Sequence, residues 1–305
     1  MFKFNLITQK ILYSSHLKKF KELIHIYGKY PNLSIKDYGG FQSRNISTIK
    51  LIKLALSKHK NEINMLNINI FIFTGDSAEK AEYYRKILNI PFIFAYSTTD
   101  IYKNTVIPIP DFIFDSWIES GITSYEDIIS KCIKSSTSSY IDEHCFWIGN
   151  PNTHPTRHIL LNISKKFPNY ISANSMQWLS SEKGKMQKTS QFVTLYDHAK
   201  YKYLIDVQGC GYSGRLKILF WLKRPIFIVK RQHQEFYFPK LKEWDNFIPV
   251  KEDLSDLIQK YEYIEHTPHL YNSLVTSGSK LANEYLTKNY ALEYLYNTIK
   301  KYNLN

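Results

Sequence analysis

The sequence predicts an α/β chain of two doubly wound halves facing one another over a cleft, and three observations lead there. Short apolar runs, INIFIFT at 68–74, PFIFAY at 91–96, CFWIG at 145–149, YKYLID at 201–206 and PIFIVK at 225–230, alternate with segments of helical spacing. The chain has 305 residues, which suits two domains of about 150 residues better than one small core. The third observation is the glycine-spaced turn that follows the run at 201–206 and leads into a helix, QGCGYSGR at 208–215.

Taken in order, residues 9–28 alternate apolar and basic positions at helical spacing and predict an amphipathic helix with a basic face. A strand at 68–74, a charged helix at 77–88 and a strand at 91–96 follow. VIPIPDFIFDSW (106–117) is studded with prolines and predicts an extended crossing segment. Small polar residues accumulate around 130–145, the candidate linker, so the expected domains are 1–140 and 141–305. The second half predicts a strand at 145–148, the loop GNPNTHPTRH, a helix at about 156–165, a strand at 201–207, a helix at 215–223 and a strand at PIFIVK. Residues 253–264 and 270–302 predict helices, the last long enough to reach back to the first half.

Composition narrows the function classes. Hydrophobic residues make up 44 % and aromatic residues 15 %, enough for two packed cores and against wholesale disorder. The net charge of +13 implies an acidic partner: nucleic acid, an anionic membrane face or a phosphorylated substrate. The lysines are spread along the chain without a block of five or six, against a tail that wraps nucleic acid. Cys132, Cys145 and Cys210 are irregularly spaced and form neither a disulfide framework nor a zinc pattern. No window approaches a transmembrane span, and MFKFNLITQKILYSSHLKKF lacks the pattern of a signal peptide. A soluble cytoplasmic protein is expected, either free or resting on a membrane surface.

The residues that could carry chemistry stand at strand ends. Gly209, Gly211 and Gly214 can bring backbone N–H groups close to an anion, with Ser213 and Arg215 at the start of the next helix. An arginine there opposes the helix dipole unless an anion compensates it; the alternative is an ordinary strand-to-helix turn. Asp76 follows the first strand through Gly75 and is either a general base at the strand's carboxyl end or, like Ser77, a helix cap. Asn150, Asn152, Thr153 and Arg157 occupy the loop after CFWIG, as donor-site groups or as a turn with a cap. Glu235 contacts ribose hydroxyls or is a surface charge. Asp253 or Ser255 reads as a cap, and His198 as a satisfied structural histidine. No D-x-D motif occurs, so a diphosphate would be neutralised by arginine, lysine and backbone N–H groups without a carboxylate-held metal.

Three ordered motifs, FWIGNPNTHPTRHILL, DHAKYKYLIDVQGCGYSGRLKILF and EFYFPKLKEWDNFIPVKEDLSDL, closely resemble glycosyltransferase family 90, over roughly residues 68–300, with the first 60 residues outside the match. The resemblance implies a GT-B arrangement of two Rossmann-like domains and a metal-free, cofactor-free, inverting transfer from a UDP-hexose. It places the donor diphosphate on Cys210, Gly211, Tyr212, Ser213, Gly214 and Arg215, with Arg157 also on the phosphates and Glu235 beside the ribose. Asn150 stands where many relatives carry serine, and Ile148-Gly149-Asn150-Pro151 replaces a frequent Arg-Gly-Ser-Arg, leaving less donor-side charge. Asp76, in FIFTGDS before IPFIFAY, matches the catalytic aspartate. The implied acceptor is a glycan, foremost lipopolysaccharide or lipooligosaccharide core, handled at the cytoplasmic face of the inner membrane; a protein acceptor is the enzyme alternative and nucleic-acid binding the alternative from another class.

Overall fold

The computed structural model of the protein describes residues 20–63, 66–176, 179–180, 186–187 and 192–304. Its contacts divide into two compact units, Met1–Phe112 with Leu292–Asn305, and Ile113–Ala291. Each is an α/β unit with its own five-stranded sheet, which is the pair of Rossmann-like units a GT-B chain requires.

In the first unit, β1 (Leu23–Lys29) and β2 (Ser34–Asp37) form a hairpin, α1 spans Gln42–Lys58, β3 spans Asn67–Phe73, α2 spans Ala78–Leu88, and β4 (Ile93–Ala95) and β5 (Val106–Pro108) complete the sheet. The sheet order is β2-β1-β3-β4-β5, with β1 antiparallel to both neighbours and β3, β4 and β5 parallel. Phe71, Phe73, Ile93 and Val106 from the sheet pack with Ala78, Ala81 and Tyr84 of α2. Helix α2 starts where Ser77 accepts the Lys80 amide at 3.2 Å and stops at Asn89, whose φ of 50° is the left-handed cap.

In the second unit, α3 (Tyr125–Ser136) precedes β6 (Asp142–Gly149), α4 (Pro155–Lys166), β7 (Ile171–Ser175), β8 (Tyr201–Asp206), the short α5 (Leu216–Leu219), β9 (Ile226–Val229), β10 (Ile248–Val250), α6 (Leu257–Glu265) and α7 (Pro268–Tyr285). The sheet is wholly parallel in the order β10-β9-β8-β6-β7. Strand β9 is buried on both faces, which accounts for its unbroken apolar run IFIV. Chain order reverses between β6 and β8. In open parallel sheets that reversal leaves a crevice at the strands' carboxyl ends, where ligands bind.

Several expectations are corrected. Within the helix predicted at 9–28, residues 9–19 lie outside the described region, and Leu23–Lys29 is strand β1, paired on both sides; tertiary pairing overrides a weak helical period. The linker expected at 130–145 is the end of α3 and the start of β6, because Ile128, Ile129 and Cys132 bury one helical face. Val106–Pro108 of the proline-rich segment is an edge strand, where a missing N–H is tolerated. The helix expected at 215–223 is one α turn continued as a 3-10 turn at Phe220–Leu222. The helix expected at 253–264 starts later, because Asp253 and Asp256 accept the amides of Ser255 and Lys251 in preceding turns. The helix expected over 270–302 is two, α7 and α8 (Lys288–Lys301), separated where the Thr287 hydroxyl accepts the Tyr290 amide at 3.1 Å. From Leu292 onward α8 belongs to the first unit, held there by a Lys58–Glu293 ion pair of 2.5 Å and a Tyr296 to Glu62 hydrogen bond of 3.0 Å.

Candidate active site

The carboxyl ends of β6 and β8 flank the reversal in the second unit, and the donor-site residues expected from the sequence converge there. Trp147, fully buried near the end of β6, is their platform: the guanidinium carbons of Arg157 and Arg215 lie 5.4 and 5.8 Å from its ring. Arg157, in the first turn of α4, donates through Nε to the Gln208 carbonyl at 2.8 Å, Nη1 to the Asn150 carbonyl at 2.9 Å and Nη2 to the Val207 carbonyl at 3.1 Å. It thereby clamps the loop after β6 to the loop after β8, using three of the five N–H donors of a guanidinium. Arg215 donates through Nη1 to the Ile148 carbonyl. A Cβ on Gly149 would stand 2.8 Å from Arg215 Nη2 and 2.8 Å from the Trp147 ring, so a glycine is required for the arginine to lie against this strand end.

The glycine turn divides its work. None of Gly209, Gly211 and Gly214 is among the glycines with positive φ; a Cβ on Gly214 would stand 2.6 Å from Ile113 Cδ1, whereas one on Gly209 would find its nearest atoms at 3.6 Å, an ordinary contact. The Gly209 amide closes the turn onto the Tyr212 carbonyl at 3.2 Å. Cys210 is exposed and a free thiol, while Gly211 and Tyr212 are buried. Ser213 turns inward, its hydroxyl donating to Asp206 Oδ1 at 2.6 Å, so any contribution it makes to an anion comes through its backbone amide. The Gly214 carbonyl accepts from Lys217 Nζ at 3.0 Å.

Asn150 caps a 3-10 turn by accepting the Asn152 amide at 3.0 Å, and its carbonyl receives Arg157 and the Thr153 hydroxyl. Glu235 is neither a surface charge nor open to a ribose: it is 2 % exposed, pairs with Lys217 at 2.8 Å and accepts the Tyr237 hydroxyl at 2.8 Å. His198 is buried, with Nδ1 bonded to the Thr194 carbonyl at 2.8 Å and Nε2 without a partner; burial and the nearby Arg215 push it down to about 4. It is therefore neutral at pH 7.

Electrostatics set this cluster apart. Asp206, 0 % exposed, is the counter-ion of Arg231 at 2.6 Å, and the same carboxylate is the acid whose field reaches Arg157 and Arg215. Among the described residues, Asp206 is thus the carboxylate whose charge bears on all three guanidinium groups. Burial, then the neighbouring Arg215, pulls Arg157 down to about 9, and burial lowers Arg215 as well. A buried excess of positive charge is unfavourable until an anion compensates it. Trp147, Asp206, Lys217 and Arg231 were not singled out from the sequence, although an aspartate ending the apolar run YLID was a visible signal.

In the first unit Asp76 lies just beyond β3, its side chain 36 % exposed, with Oδ1 held by Arg44 Nη1 at 2.7 Å. Ser77, not Asp76, caps α2. A Cβ on Gly75 would stand 2.4 Å from the Phe73 ring, so the glycine lets the chain turn over that ring and present Asp76. Among the described residues no group of three or more histidine, cysteine or acidic side chains could hold a metal ion, and no helix is long and apolar enough to cross a membrane.

The model of the family described as "Glycosyl transferase family 90" matches residues 7–304, so the match includes most of the first 60 residues, which the sequence motifs had left out. The chain is similar to "Protein O-glucosyltransferase 1" of Rattus norvegicus, 31 % identical over 153 residues covering 49 % of this chain and 39 % of that protein. It is also similar to "O-glucosyltransferase rumi" of Drosophila melanogaster, 34 % identical over 115 residues covering 37 % and 28 %. These matches span well under half the length of the relatives. Among solved structures, Alr3699/HepE of Anabaena in complex with UDP-glucose aligns at a TM-score of 0.36 and 7 % identity, covering 74 % of this chain and 54 % of that one. With a family model matched from residue 7 to residue 304, the chain belongs to glycosyl transferase family 90.

Proposed function

We propose that the protein transfers a hexose from a UDP-sugar to an acceptor hydroxyl with inversion, the donor diphosphate lying at the carboxyl ends of β6 and β8. The observation that carries this reading is the set of guanidinium groups Arg157, Arg215 and Arg231, on all three of which, among the described residues, the charge of the carboxylate Asp206 bears. A diphosphate supplies the missing negative charge. As the bond from the anomeric carbon to the diphosphate breaks, charge grows on the leaving UDP, and preorganised guanidinium groups and turn amides stabilise it most at that moment. Asp76 takes the proton of the attacking hydroxyl.

Arg215→Ala is expected to weaken UDP binding by about 1.5–3 kcal/mol, the range for a hydrogen bond to a charged group. Titration calorimetry with UDP tests it, and unchanged affinity would move the diphosphate to another place. Because arginines supply the positive charge, we also expect transfer to persist in EDTA. Abolition by the chelator with recovery on adding manganese would show that a metal is required.

The donor sugar we favour is glucose, on the names of the two relatives. For the acceptor, lipooligosaccharide core at the inner face of a membrane is the reading that the +13 charge supports. A protein hydroxyl is the second reading, supported by the name of the rat relative. Incubating the enzyme with labelled UDP-glucose and each acceptor class in turn, followed by mass analysis of the products, separates the two.

A further inference from the structure

We infer that Arg44 is the positioning residue of the acid–base machinery, holding one oxygen of Asp76 so that the other is presented to the acceptor hydroxyl; this rests on the reading of Asp76 as the base. Arg44 Nη1 binds Oδ1 at 2.7 Å, and no described residue donates to Oδ2. The carboxylate is thus anchored at one end and open at the other, in a side chain 36 % exposed.

Helix stability does not account for an arginine at this place. Arg44 lies in the first turn of α1, a turn without an acidic residue, where a cation opposes the helix dipole. A carboxylate from a distant strand end, Asp76, meets it there. The arginine is itself oriented by two aromatic rings, Phe41 at 4.3 Å and Phe112 at 5.0 Å from the guanidinium carbon. The adjacent residue fixes the register of helix and strand. Asn45, 0 % exposed, accepts the Thr74 hydroxyl at 2.7 Å and donates to Asp37 Oδ1 at 2.7 Å and the Gly39 carbonyl at 3.2 Å. The first turn of α1 is therefore tied to the residue two positions before Asp76. Such an arrangement presets the direction of the carboxylate, and a misplacement near 1 Å at a reacting group costs about 10²-fold in rate.

The test is a mutant cycle on the full chain, reading UDP release from UDP-glucose with water as the acceptor, so that no glycan need be identified. Arg44→Gln is expected to lower kcat about 10²-fold while KM for UDP-glucose stays within about twofold, and Arg44→Lys, which keeps the charge, is expected to recover part of the loss. In the Asp76→Asn background Arg44→Gln should cause little further loss, since it acts through the missing carboxylate. Multiplicative losses in the double variant, or a near-normal kcat for a folded Arg44→Gln protein beside a slow Asp76→Asn, would overturn the inference while leaving Asp76 as the base. Full activity of Asp76→Asn would instead remove the reading on which it rests.

Discussion

Asp76→Asn is expected to lower transfer by roughly 10²–10⁴-fold, the contribution of a positioned general base, with UDP affinity unchanged. The amide keeps the shape of the carboxylate but cannot take a proton from the attacking hydroxyl. Two structural facts sharpen the experiment. The cap of α2 belongs to Ser77, which accepts the Lys80 amide, so the substitution leaves the helix terminus intact. The Arg44–Asp76 pair is partly open to solvent, at 17 % and 36 % side-chain exposure, and such a pair contributes no more than about 1 kcal/mol. Melting temperature should therefore hardly move while the rate collapses. Both are measured on one preparation, and a variant with wild-type transfer would remove Asp76 from the mechanism.

Lys217→Met is expected to destabilise the second unit by about 3–5 kcal/mol, because it removes the cation of a buried ion pair and leaves the Glu235 charge in place. Lys217 and Glu235 are 0 % and 2 % exposed in their side chains and 2.8 Å apart, and the hydrogen bond from the Tyr237 hydroxyl does not replace the charge of an ammonium. In a unit of this size the loss corresponds to a fall on the order of 10 °C in melting temperature. The double variant Lys217→Met/Glu235→Gln should recover most of it, since no buried charge then remains. Thermal melts of the three proteins decide the matter; a loss below about 1 kcal/mol, the range of an exposed pair, would show the pair to be open to water. UDP affinity of Lys217→Met should also fall, because Lys217 holds the Gly214 carbonyl at 3.0 Å and with it the form of the turn.

Local signals carried the parallel strands of the second unit and the place of the candidate site. Runs such as YLID within β8 and IFIV in β9 are buried on both faces and so read as continuous strands. A glycine-spaced turn between strand and helix is likewise a feature of consecutive residues, and Asp76 follows its strand within three positions. The hairpin β1–β2 was not legible, because its alternation is weak and its state is set by pairing with β3, some forty residues away. The division of the last helix was hidden for a related reason: a single threonine hydroxyl caps the second segment within an otherwise unbroken helical pattern.

The class of the fold and the places of the two motif-bearing loops could be read from the chain, because each depends on composition or on neighbours along it. How the charges are shared was not legible there. The Ser213 hydroxyl is given to Asp206, Glu235 pairs with Lys217, Arg157 gives three of its five donors to carbonyls, and Arg44 binds Asp76. Whether a charged side chain serves a ligand or another residue depends on which groups lose their water together, and that is settled by burial among residues far apart in sequence.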